Sequence, residues 1–564
     1  MASAAKLSSP HHRPAAVPSE PTEPMTAAQR RVVAASSLGT AFEWYDFYLY
    51  GSLAPILGRQ FFTGLDSATA TLFALLAFAA GFVARPFGAL LFGHMGDTLG
   101  RKRTFLVTML VMGLATFTIG LLPDHGSIGV AAPLLLVGLR LMQGLALGGE
   151  YGGAATFIAE HAPPGRRGAA TGWLQTTATL GLLLSIVVIL ATRAVLGEAA
   201  FAAWGWRVPF LVSVLLLAVG GWVRLGLAES PVFRALQEAG ATTNAPLRDS
   251  FLRGRNLRRV LLVLFGLVAG QAVVWYTAQF HALYFLIQAL KVDETRANLL
   301  MAVALALGAP CFALFGAWSD RVGRKPIVMA GLLLAALSSF PLFQALTHAA
   351  NPALAAAQAA SRVVVEADPR TCSFQFNLLG TARYTSPCDI ARQALTRASV
   401  SFDDEPAQPG YPTLVHVGEV VIGVPTAEGL SGAEARLREV ELRTRLQAAL
   451  DAAGYPARAD PARVNTVGVV AILWLLIVFA AMVYGPLAAM LVEMFPARVR
   501  YTSMSLPYHV GNGWFGGLLP TTAFALVTAS GNMYSGLWYG VATATMSLIV
   551  GGLFIRDTRP SDLN

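Results

Sequence analysis

Read for alternation of apolar and polar residues, the chain resolves into apolar runs separated by short polar loops. Each run is about 20 residues long, enough to cross roughly 30 Å of hydrocarbon as a helix. About twelve are predicted, over 32–58, 67–92, 104–122, 130–160, 168–192, 207–227, 258–288, 296–318, 326–347, 464–490, 500–528 and 532–555.

The loops repeat. Phe92-Gly93-His94-Met95-Gly96-Asp97-Thr98-Leu99-Gly100-Arg101-Lys102 returns about 223 positions later as Phe315-Gly316-Ala317-Trp318-Ser319-Asp320-Arg321-Val322-Gly323-Arg324-Lys325. Each copy joins two apolar runs, which predicts two similar helical halves. A second pair sets Glu160-His161-Ala162-Pro163, followed by Arg166 and Arg167, against Glu493-Met494-Phe495-Pro496, followed by Arg498 and Arg500. Its offset is about 333, so about 110 residues are inserted in the second half, between the ninth and tenth runs.

The inserted stretch is polar and carries both charge signs. Arg362-Val363-Val364-Val365-Glu366 and the run from Leu414 to Ile422 read as strands. Residues 387–399 and 431–453 read as amphipathic helices, the second opening at Ser431 as N-cap. The expected organisation is a disordered tail (1–31), a first six-helix bundle (32–227), a central loop (228–257), a second bundle (258–347 and 464–555), a soluble α+β insert (348–463) and a short tail (556–564). The fold class expected is an all-α membrane protein with that insert.

Composition agrees with a chain lying mostly in lipid. Of its 564 residues 55% are hydrophobic and 13% charged, and mean hydropathy is +0.56, outside the range of soluble globular proteins. With the tails and the loops after even-numbered runs on one side, that side collects about 22 Lys and Arg against about five on the other. Both termini are therefore expected in the cytoplasm of a bacterial inner membrane, and the insert in the periplasm. The net charge of +9 reflects this sidedness and gives no reason to invoke nucleic acid. No cleavable signal peptide is legible. Cys372 and Cys388 lie in the insert and Cys311 in the eighth run. A Cys372–Cys388 bridge would suit an oxidising compartment and contribute about 3 kcal/mol, with two free thiols as the alternative.

The repeated loop resembles the signature loop of the major facilitator superfamily, whose members have two six-helix halves. Further segments are similar to its metabolite:proton symporter branch: Gly39-Thr40-Ala41-Phe42-Glu43-Trp44-Tyr45-Asp46-Phe47, Leu139-Arg140-Leu141-Met142-Gln143-Gly144, Gly148-Gly149-Glu150-Tyr151-Gly152-Gly153, Gly205-Trp206-Arg207-Val208-Pro209-Phe210, and Glu493-Met494-Phe495-Pro496-Ala497-Arg498-Val499-Arg500. The insert departs from the family's plain pattern. The resemblance implies secondary active transport of a small polar metabolite, with a proton gradient as energy source and no cofactor.

Ionisable groups inside a bilayer cost about 2.5–3.5 kcal/mol each on insertion scales, so those retained face a cavity or a partner. Glu43 and Asp46 lie three apart on one helix face, and Arg140 and Glu150 lie on the fourth run. These four are the proton-coupling candidates: Glu43 or Asp46 would take the proton and Arg140 would couple it to substrate. The alternative is a set of static ion pairs, and for Glu150, among glycines, a structural hydrogen bond. Substrate contact is expected from Tyr45, Gln175, Tyr276, Gln279 and Asn512. Trp275, His281, Tyr284, Tyr508, His509 and Trp514 are further polar or aromatic positions in the same runs. Asp97 can accept hydrogen bonds from a helix N-terminus. The resemblance makes Asp97, Arg101 and Lys102 a cytoplasmic gate, with Asp320, Arg324 and Lys325 as a weaker counterpart. Arg85 and Arg207 are read as structural, near helix ends.

The Arg140 charge favours a carboxylate or zwitterion as substrate. A competing reading is a membrane receptor whose insert binds a ligand or a protein partner. An enzyme is not expected, since the insert carries no metal-spaced His or Cys set, no nucleophile context and no phosphate loop.

Overall fold

The computed structural model describes residues 24–63, 67–375 and 384–558. Its long helices are α1 (Ala27–Phe61), α2 (Ser67–Thr98), α3 (Arg101–Leu121), α4 (Ala131–His161), α5 (Arg167–Leu196), α6 (Arg207–Leu225), α7 (Gly254–Ala289), α8 (Glu294–Val322), α9 (Arg324–Ala350), α10 (Thr466–Met494), α11 (500–530) and α12 (Leu537–Phe554). Among the described residues, nine helices are long and apolar enough to cross a membrane: α3 to α10 and α12. The remaining three, α1, α2 and α11, pack among them.

Packing repeats between the halves. In the first, α1 lies on α5, α2 on α4, and α3 on α6; in the second, α7 lies on α11, α8 on α10, and α9 on α12. The halves meet through α2 against α11 and α8 against α5, which exchange under the same pairing. Small residues permit this approach. Gly168 meets the Gly316 carbonyl and Gly93 meets the Thr502 backbone, Gly93 and Gly316 being the same position of the repeated loop. Outward faces carry Leu134, Val195, Leu215, Leu299, Leu337 and Leu553, all exposed.

Helix α1 begins earlier than the apolar pattern suggests. Thr26 Oγ1 accepts from the Gln29 amide (3.2 Å) and Gln29 Oε1 accepts from the Thr26 amide (2.8 Å), a reciprocal cap that starts the helix at Ala27. Of the expected tail over 1–31, residues 27–31 are thus helical, and 1–23 lie outside the described residues. The central loop holds short helices at Pro231–Glu238 and Pro246–Phe251 before α7 begins at Gly254.

The insert is an α+β unit with four strands in the order β2-β1-β3-β4: β1 (Val363–Ala367), β2 (Asp403–Pro406), β3 (Leu414–Val417) and β4 (Val420–Gly423). The run from Leu414 to Ile422, read above as one strand, is a hairpin. Gly418 adopts φ 56°, a left-handed turn that pairs Val417 with Val420. The exposed, acidic β2 has no apolar alternation and escapes sequence reading; it pairs in parallel with β1. Helices Pro387–Arg397 and Gly432–Ala452 stand where expected, the latter capped by Ser431 and Glu434. Cys372 and Cys388 form a disulfide with Cα atoms 5.2 Å apart. Four residues earlier, the Arg370 guanidinium holds the Asp368 carboxyl below the usual carboxylate range by hydrogen bonding.

The insert is anchored to loops of the second half, at the end of the molecule opposite the start of α1 and the end of α12. The Phe402 amide donates to Gly531 O (2.8 Å), the Ala459 amide to Lys291 O (3.0 Å), Arg296 Nη1 to Pro461 O (2.8 Å), and the Ser399 hydroxyl to Gln288 O.

Candidate functional site

Buried charge is concentrated inside the first half, and its organising residue is one that the sequence reading passed over. Arg224, near the end of α6, places Nη1 2.5 Å from Glu43 Oε1 and Nη2 4.0 Å from Glu150 Oε1; all three are at most 2% exposed. The guanidinium also lies 3.7 Å over the Phe105 ring. Gly39, one turn before Glu43, leaves room for it: a Cβ there would stand 2.5 Å from Arg224 Nε. This explains a glycine at the head of the Gly39-to-Phe47 motif.

Asp46 and Arg140 form a second tier. Asp46 faces the hydroxyls of Ser213 and Thr116. Arg140 donates to Gln143 Oε1 (2.6 Å), Gln143 Nε2 donates to Thr116 Oγ1 (2.6 Å), and the Arg140 guanidinium lies 4.3 Å from the centre of the Tyr50 ring. Arg140 stands roughly 15 Å along α4 from Glu150, so the four expected residues occupy two levels. Glu43 and Asp46 line a cavity of about 10 Å³ with Met109, Gly113 and Leu216, room for about one water. They turn into the first bundle and away from the seam between halves.

The seam is aromatic. Tyr151 of α4 stacks on Tyr508 of α11 with centroids 3.5 Å apart, Tyr508 shares a 2.6 Å hydroxyl contact with Tyr484 of α10, and Gln175 Nε2 donates to the Tyr151 hydroxyl (2.9 Å). Tyr48 meets Phe280, and Phe82 meets Tyr276, across the same boundary. Asn512 donates to Gln271 Oε1 (3.2 Å) within the second half, and Gln279 is buried in α7. Gln279 and Asn512 sit in widened turns of α7 and α11, where the backbone departs from regular α-helix, a frequent mark of functional positions.

Several expected residues face elsewhere. The Tyr45 hydroxyl donates to Pro209 O (2.7 Å) inside the first bundle, so Tyr45 holds α1 to α6 and does not reach the seam. Tyr284 and Trp514 are about half exposed on the outer surface, and His281 packs on Phe343 inside the second bundle. Arg207 caps α3 as expected, donating to Leu122 O (2.6 Å). Arg85 is no helix-end residue: it is buried mid-way along α2, 4.1 Å and 4.4 Å from the Phe82 and Phe47 ring centres.

At the end where α1 starts and α12 stops, two matching clusters join the halves. Asp97 accepts from the amides of Tyr501 (3.3 Å) and Thr502 (2.9 Å) at the α11 N-terminus. Asp320 accepts from Gly168 (2.9 Å) and Ala169 (2.8 Å) at the α5 N-terminus. Arg101 lies 2.9 Å from Asp97 and donates to Ala497 O (2.7 Å); Arg324 lies 2.7 Å from Asp320 and 3.2 Å from Glu493. Glu160 pairs with Arg500 (2.7 Å) and Glu493 with Arg167 (3.9 Å), so the second sequence repeat completes both clusters. The Asp320 cluster repeats the contacts of the first, with tighter amide contacts to its aspartate and a looser pair at Glu493–Arg167.

Lys102 and Lys325 serve their own halves. Lys102 Nζ donates to Leu225 O (2.9 Å) and Lys325 Nζ to Gly552 O (2.7 Å), capping α6 and α12. Gly100 and Gly323, at φ 111° and 108°, make the tight turns that place them. Tyr501 links the levels. It fills a notch lined by Gly96, Gly149, Gly152 and Gly153 and donates to Gly149 O (2.5 Å), next in sequence to Glu150. Among the described residues no group of His, Cys, Asp and Glu is placed to hold a metal ion.

This duplicated architecture coincides with the result of family comparison, in which the sequence model of the Major Facilitator Superfamily matches residues 36–357. The chain belongs to the Major Facilitator Superfamily. It is 38% identical to the shikimate transporter of Escherichia coli K12 over 58% of this chain and 75% of that protein. It is 34% identical to the proline/betaine transporter of the same organism over 56% of this chain, spanning 64% of that protein. Among solved structures, the superfamily proton:xylose symporter XylE bound to 6-bromo-6-deoxy-D-glucose superposes with a TM-score of 0.60 at 16% identity, covering 95% of this chain and 98% of that one, a likeness of fold. The chain is a multi-pass membrane transporter of this superfamily, and not an enzyme.

Proposed function

We propose that this superfamily member is a proton-coupled symporter that imports a small organic acid or zwitterion across a bacterial inner membrane, through twelve crossings, with both termini cytoplasmic and the insert periplasmic. The observation that carries the reading is Arg224 shared by Glu43 and Glu150. Two buried carboxylates against one guanidinium leave an excess negative charge in a low-dielectric interior, and a proton is the smallest ion that balances it. Arg224, more directly than Arg140, is the cation from which Glu43 would part. Tyr501, seated beside Glu150 and anchored in α11, would carry that change to the clusters that close the cytoplasmic end, and release of both Asp97 and Asp320 would let the halves rock. The insert, fixed to the second half, would move with it.

The test is uptake of labelled shikimate and proline into proteoliposomes, with and without an imposed pH gradient. Uptake of at least one solute should follow the gradient and collapse with a protonophore. Glu43→Gln should abolish accumulation while leaving exchange of solute across the membrane. Gradient-independent accumulation by the wild type would reject proton coupling.

A further inference from the structure

Among the described residues, no acid stands among the groups that face Arg85 at the seam. Arg85 is 2% exposed, and its Nε and Nη2 find no hydrogen-bond acceptor among the described residues. The guanidinium is hydrogen-bonded to the Tyr276 hydroxyl, and the hydroxyls of Tyr48, Tyr484 and Tyr508, the ring of His509 and the Arg140 guanidinium also face it. Glu43 and Asp46 turn into the first bundle, where Arg224, Ser213 and Thr116 engage them. A guanidinium at this depth is costly, and the Phe47 and Phe82 faces, 4.4 and 4.1 Å away, offset part of that cost. The remaining donors point at no partner of their own.

Their position matters more than their cost. Arg85 stands on α2 of the first half, while Tyr276 and Tyr508 stand on α7 and α11 of the second. When the halves part, the guanidinium and the tyrosine hydroxyls become the walls of the opening. We infer that Arg85 is the anchor for a substrate carboxylate, held by the guanidinium fork and the seam tyrosines, and that the preferred solutes are small organic acids of net negative charge. Arg geometry suits a planar carboxylate through paired hydrogen bonds, and the flanking rings accept an aliphatic or unsaturated carbon skeleton. The inference rests on the reading that solute passes along the seam between the halves.

The test measures binding of shikimate, shikimate methyl ester and glycine betaine to the purified full chain in detergent by calorimetry. The acid should bind about tenfold or more tighter than its ester, the worth of one or two charge-assisted hydrogen bonds. Arg85→Gln should remove that preference by weakening the acid alone, and Arg85→Lys should restore part of it. Equal binding of acid and ester by the wild type overturns the inference without any variant. So does a retained preference in Arg85→Gln, tighter binding of glycine betaine than of shikimate, or failure to bind any of a panel of small carboxylates. Accumulation that ignores the proton gradient would sink the symport reading and leave the Arg85 preference standing. Equal binding of acid and ester would do the reverse.

Discussion

The two halves of this transporter share a skeleton and differ in what they bury. The first half encloses ionisable groups: Glu43 and Glu150 around Arg224, then Asp46 and Arg140 on the next level. The second half places neutral amides, tyrosines and a histidine at its core: Gln271, Gln279, Asn512, Tyr508 and His509 on α7 and α11, whose turns are widened, and Tyr484 on α10. Yet the clusters at the shared end match residue for residue, Asp97 with Asp320, Arg101 with Arg324, Glu160 with Glu493, and Arg167 with Arg500. Duplication has been kept where the halves must grip each other symmetrically. It has been lost along the helix interiors, where Glu43, Asp46, Arg140, Glu150 and Arg224 of the first half have no ionisable counterpart among Gln271, Gln279 and Asn512 of the second.

The strongest way to break this contrast is Arg224→Ala. It leaves two buried carboxylates without their cation, so stability should fall by about 3–5 kcal/mol and uptake to background. Gln271→Ala in the second half removes only a neutral hydrogen bond and should cost about 1 kcal/mol. Thermal unfolding in detergent compares the two, and similar losses would erase the asymmetry. A finer comparison uses glycines. A Cβ at Gly39 would stand 2.5 Å from Arg224 Nε and one at Gly270 2.5 Å from Ser547 Cβ. Both alanine variants should lose about 1–3 kcal/mol by crowding, but only Gly39→Ala should reduce gradient-driven uptake.

The matching clusters call for equal effects. Asp97→Asn and Asp320→Asn should each loosen the shared end by about 1–2 kcal/mol and raise labelling of a cysteine at Met504, which is buried against Thr156. Labelling that rises in one variant and stays at the wild-type level in the other would show that the clusters are not mechanical equals. Smallest of all, Lys102→Ala and Lys325→Ala each remove a cap inside one half, worth about 0.3–1 kcal/mol. Stability should dip while Met504→Cys labelling stays unchanged.

Much of the clamp was legible because it is written in short motifs whose physics is local. An aspartate closing one helix, a glycine turn and a basic start to the next announce a carboxylate ready for a foreign helix N-terminus, and Asp97 and Asp320 each found one. The insert's helices announced themselves by caps and amphipathic spacing. Strand β2 did not, because the acidic Asp403-Asp404-Glu405 pairs through its backbone and buries no side chain.

The primary structure by itself determined two repeated halves, the place of the insertion and the membrane-length runs, since periodicity, turn chemistry and repeat offsets are read along the chain, while the Cys372–Cys388 bridge was one of two alternatives until the fold brought the pair together. Only the tertiary structure decided that Arg224 belongs to Glu43 and Glu150, that Tyr45 turns inward, and that Arg85 lies at a seam of aromatic rings. Helical period says which residues share a face. It does not say which helix that face meets, and partners some 180 or more positions apart, as Glu43 and Arg224 are, are brought together only when the bundle packs.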